Sequence, residues 1–88
     1  MLAIPALSPV AARVLTLVKD RGVLRGQDLL RNVEASEKEL LAAVLLLQQN
    51  DLITLTGDCS TSEGLAKSYL TFRPSAASMA EFAIRAAR

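Results

Sequence analysis

The sequence predicts an α+β fold, mainly α, built from three helices, a β-hairpin and a C-terminal helix. Three observations predict it. Two serine-led capping signals, Ser8-Pro9 and Ser36-Glu37-Lys38-Glu39, each precede an apolar run of helical period. Two short stretches at 51–56 and 68–73 nearly alternate, the first rich in β-branched residues, and flank a polar segment at 57–64. An alanine-rich stretch follows Pro74-Ser75 to the end of the chain.

The first helix is expected over 9–21. Ser8 can accept a backbone N–H bond, and Pro9 at the next position has no donor to waste. Val10, Val14, Leu17 and Val18 then share one face, and Lys19, Arg21 and Gly22 form a cationic last turn and a stop. After Val23-Leu24 and Gly26, a short second helix over 27–33 puts Leu29, Leu30 and Val33 on one side. The third helix starts at Ser36 with a full capping box, in which Ser36 bonds the third amide and Glu39 reaches back. It runs to about Asn50. The stretches 51–56 and 68–73 form a long hairpin with 57–64 as its polar tip, and Pro74 ends it. Ser75 is then placed to cap a last helix from Ala76 to about Arg88, with Met79, Ala80, Phe82, Ala83 and Ile84 as its apolar flank.

A chain of 88 residues is one domain's worth, so residues 1–88 are read as a single domain with no room for a two-domain enzyme. Apolar residues at 51% and charged ones at 22% suit a compact core and argue against disorder. There is no histidine and one cysteine, which removes the usual general base, most transition-metal sites and any intramolecular disulfide. One thiolate, Cys59, cannot supply the four ligands of an iron–sulfur cluster. The hydroxyls at 60–62 lack a base, and Gly57 and Gly64 lack phosphate-loop spacing. The expectation is a non-enzymatic domain with no catalytic residue, no metal, no cofactor and no small-molecule ligand. The N-terminus lacks a basic region and is interrupted by Pro5, and the longest apolar run, 40–47, is far short of the roughly 20 residues that span a bilayer. Neither signal peptide nor membrane contact is expected, and the expected compartment is the cytoplasm.

The order helix, helix, helix, hairpin, with a short turn at 33–36, resembles the winged helix-turn-helix superfamily over about residues 8–74. Val14, Leu17, Val18, Leu29, Leu30, Val33, Leu40, Val44, Leu47, Leu52 and Ile53 carry the likeness. The resemblance implies that the third helix is a DNA-recognition helix and the hairpin a wing that touches backbone or minor groove.

Read as a surface, the third helix turns Leu40, Ala43, Val44 and Leu47 to the core. Its opposite side holds Lys38, Ala42, Leu45, Leu46 and Gln49, with Leu41 and Gln48 at the boundary. Two main functional readings follow, beside a third class, a small-molecule or redox sensor acting through Cys59. In the first, Leu41, Ala42, Leu45, Leu46 and Gln49, joined by Met79 and Phe82 of the last helix, bind a protein partner or a second copy as a homodimer. In the second, a dimeric transcriptional regulator sets Lys38, Gln48 and Gln49 near DNA and Lys67 and Arg73 on phosphates. The residues favour the first. Leucines stand where base readout needs donors, and Glu37 and Glu39 flank the end that would meet DNA, though both also suit a helix N-terminus. Between Gly57 and Ala66 the tip carries Asp58 and Glu63 and no cation. Within a monomer, Leu45 and Leu46 could instead be covered by the N-terminal arm or the last helix. Tyr69 and Phe72 are assigned to hairpin packing.

Overall fold

The computed structural model describes residues 7–86. Helix α1 spans Pro9–Arg21, strand β1 Val23–Arg25, α2 Gly26–Asn32, α3 Glu37–Gln49, β2 Ile53–Thr56, α4 Ser62–Ala66, β3 Tyr69–Phe72 and α5 Ala77–Ala86, the last entered through a 3-10 turn at Pro74–Ala76. The fold is α+β and mainly α, with a small antiparallel sheet of order β1-β3-β2.

The capping chemistry works as the residue types dictate. The Ser8 hydroxyl accepts the Ala11 amide at 3.1 Å, and Gly22, at φ 77°, donates its amide to Val18 to close α1. The Ser36 hydroxyl accepts the Glu39 amide at 3.2 Å. Its expected counterpart is absent: among the described residues the Glu39 carboxylate makes no return bond to Ser36, so half of the box forms. At the other end of α3, Asp51 takes the left-handed conformation (φ 57°), and its amide and that of Leu52 donate to Gln48 and Leu47. That pairing is a Schellman stop with aspartate where glycine is commoner.

Three local expectations are corrected. Val23–Arg25 is a strand, pairing Val23 with Thr71 and Arg25 with Tyr69, so the sheet has an edge beyond the hairpin. The polar segment is no open tip, because Thr61 caps the one-turn helix α4, whose Leu65 is fully buried. Ser75 caps nothing: it lies inside the 3-10 turn, and α5 begins two residues later. The expected run of that helix to Arg88 extends past the described residues.

One face of the sheet meets the core. Leu24, Leu70 and Leu55 line up across β1, β3 and β2, with Ile53 beside Phe72. The other face carries Val23, Arg25, Tyr69, Thr54, Thr56 and Thr71. Tyr69 therefore does not pack inside the hairpin as expected. It is 45% exposed, with the Arg25 guanidinium 5.8 Å above its ring. The core itself joins Val14, Leu15 and Val18 of α1, Leu29 of α2, Leu40, Val44 and Leu47 of α3, and the inner sheet leucines.

Candidate protein-docking face

Helix α3 is a 13-residue helix with both ends secured, so the faces it presents are fixed by sequence spacing. Leu40, Ala43, Val44 and Leu47 are buried, as the periodicity predicts. Lys38, Ala42, Leu45, Gln48 and Gln49 are exposed, and Leu41 and Leu46 are half-buried against the core margin. Leu45 stands out at 45% exposed. From Leu40 to Gln49 the helix holds no charged residue.

Beside this face runs an apolar groove of about 580 Å³. Its walls are Ser8, Pro9 and Val10 at the start of α1 and Glu39, Ala42, Ala43 and Leu46 of α3. Leu46 forms part of the groove, and Leu45 lies about 100° further round the helix. Neither leucine is sealed beneath the described part of the chain.

The structure does not bring every expected interface residue together. Leu41, Ala42, Leu45, Leu46 and Gln49 share α3, whereas Met79 and Phe82 sit on α5, which packs on α1. Helix α1 makes extensive contacts with both α3 and α5, and among the described residues those two helices have no comparable packing against each other. Ala80 and Ala83 are the buried side of α5, Met79 is half-buried, and Phe82 is 57% exposed on a separate patch. Lys19 of α1 reaches Glu81 at 3.2 Å across that junction. Local periodicity had no means of showing which helix α5 would choose.

The residues of the nucleic-acid reading are dispersed. Lys38, Gln48 and Gln49 lie exposed on α3. Lys67, however, has the Glu63 carboxylate at 3.7 Å, and Arg73 has that of Asp51 at 3.9 Å. Each cation offered to phosphate already has an acid beside it, although such exposed pairs are weak and screened by salt. The segment 57–66 is instead bound to itself. Asp58 accepts the Ser60 hydroxyl at 2.7 Å and the Ser60 amide at 2.9 Å, which holds its carboxyl below the ordinary aspartate range.

Among the described residues, no three His, Cys, Asp or Glu side chains gather where a metal ion would be held. No described helix is long and apolar enough to cross a membrane. Comparison with protein-family models, with curated proteins and with solved structures returns no match.

Proposed function

We propose that this chain is a non-enzymatic winged-helix interaction module that binds a protein, either a different partner or its own copy, through the outer face of α3. The helix order and the hairpin suggest the family. The observation that carries the function is the outer face centred on Leu45, uncharged from Leu40 to Gln49, with Leu45 exposed at 45% and the face continuous through Ala42 with an apolar groove. Holding an apolar side chain such as Leu45 in water is unfavourable, and covering it with another apolar surface is favourable by up to roughly 1.5–3 kcal/mol for a side chain that passes from fully exposed to fully buried. Base readout would need donors at those same positions, and phosphate contact would need free cations.

The test is a photo-crosslinking residue at position 45, run alongside a duplex-DNA titration at low and high salt. The expected adduct is protein, and it disappears when Leu46→Glu removes the neighbouring apolar surface. Expected DNA affinity is weak. An adduct to nucleic acid, or tight DNA binding that collapses as salt rises, overturns the reading in favour of a transcriptional regulator.

A further inference from the structure

We infer that the occupant of the α3 face is a second copy of this chain, its α3 laid antiparallel along the first. This rests on the protein-docking reading above and adds the identity of the partner. The exposed residues along the middle of the face are Lys38, Ala42, Leu45 and Gln49. Their spacing of four, three and four is that of a helix–helix seam. The seam is symmetric about the midpoint between Ala43 and Val44. A two-fold axis there sets Ala42 of one copy against Leu45 of the other, small against large, twice over. It also sets Lys38 against the partner's Gln49.

The same four residues argue against the parallel arrangement. Side by side in one direction, Lys38 meets Lys38, Ala42 meets Ala42 and leaves a gap, and Leu45 meets Leu45. Charge points the same way. Lys38 is a cation in the first turn of its own helix, where the dipole disfavours it, and α3 has no basic residue in its last turn. Antiparallel pairing carries each Lys38, in the seam itself, to the C-terminal end of the partner helix, where a cation is favoured, while Glu37 and Glu39 lie about 100° to either side, away from the contact. Leu41 on one flank, and Leu46 with Pro9 and Val10 on the other, widen the contact. With a net charge of +1 on each chain, two copies repel little.

The experiment is sedimentation equilibrium over a wide concentration range on the full chain and on Leu45→Glu. It is paired with disulfide mapping in a Cys59→Ser background. Leu45→Glu should weaken dimerisation by about a hundredfold or more, because each dimer loses two apolar contacts from side chains 45% exposed in the monomer and must also bring two carboxylates into the seam. It should leave the thermal midpoint of the monomer in place, since Leu45 is exposed there. Oxidation of a mixture of Lys38→Cys and Gln49→Cys chains should give the mixed 38–49 dimer. The 38–38 and 49–49 products should be scarce, because the antiparallel seam holds those positions about 16 Å apart. Predominance of the 38–38 and 49–49 products overturns the antiparallel arrangement. A monomer at every concentration, or a dimer indifferent to Leu45→Glu, overturns the second copy as occupant. In that event the crosslink at position 45 decides separately whether another protein docks there.

Discussion

A β-carbon on Gly26 would overlap the carbonyl oxygen of Leu65, so α2 starts directly against the backbone of α4 with no space for any side chain. The Gly26 amide also donates to the Ser68 carbonyl at 2.9 Å, fixing the approach from the other side. Because the obstructing atom is backbone, it cannot swing away as a side-chain end would. Gly26→Ala should therefore destabilise the fold by at least about 2 kcal/mol, against the gain that alanine usually brings to a helix. The check is urea denaturation, with a lower midpoint and an unchanged slope. A midpoint equal to that of the parent would mean that α4 is free to move off α2.

Ser68 is the buried polar residue at the root of the same loop, 1% exposed. Its hydroxyl accepts the Asp58 amide at 3.0 Å and donates to the Gly64 carbonyl at 2.7 Å, tying both limbs of the loop to the start of β3. Ser68→Ala leaves the Asp58 amide without its acceptor and should cost about 1–2 kcal/mol. Hydrogen exchange at the Asp58 amide should quicken with it. Unchanged exchange there would show that water replaces the hydroxyl at no cost.

The Asp58 carboxylate gives the loop a pH dependence of known sign. Its two bonds from Ser60, the hydroxyl first, favour the charged form and lower its pKa in the fold. A group lowered on folding contributes stability above its unfolded value and loses that contribution as pH falls through the folded value. The loss therefore belongs below about pH 4, with no effect from this group near neutrality. Thermal midpoints from pH 6 to pH 2 should fall less steeply in Asp58→Asn than in the parent. Parallel acid limbs in the two proteins would remove Asp58 from the account.

What was legible in the sequence follows from element length and local chemistry. Helix α3 and its buried side could be read because 13 residues show their period and Ser36 marks the start. Its exposed side was legible for the same reason, being the side the core leaves over. Strand β1 was not, because three residues show no alternation and exist as a strand only by pairing with β3 some 45 positions later. Helix α4 left a faint signal, Thr61 as a cap and Leu65 as a single apolar anchor, within a segment whose composition reads as turn. The displaced start of α5 reflects competition at Pro74, which suits the first position of a helical turn better than Ser75 suits a cap just after it.

Phe82 tests whether the apolar patches on α5 and α3 are one surface or two. Helix α5 meets α1 through Ala80 and Ala83, neither of which is exposed, while Phe82 points away at 57% exposed. Phe82→Ala should change stability by no more than about 0.5 kcal/mol, as is usual for an exposed site without special contacts. Ala83→Leu, which overfills the α1–α5 junction, should cost about 1–3 kcal/mol. Since both helices pack mainly on α1 and not on each other, Phe82→Ala should also leave α3-mediated association as it was. Sedimentation beside Leu45→Glu is the measurement. If Phe82→Ala dissolves the dimer as Leu45→Glu is expected to, a partner must reach across α1, and a seam confined to α3 is too small a description of the interface.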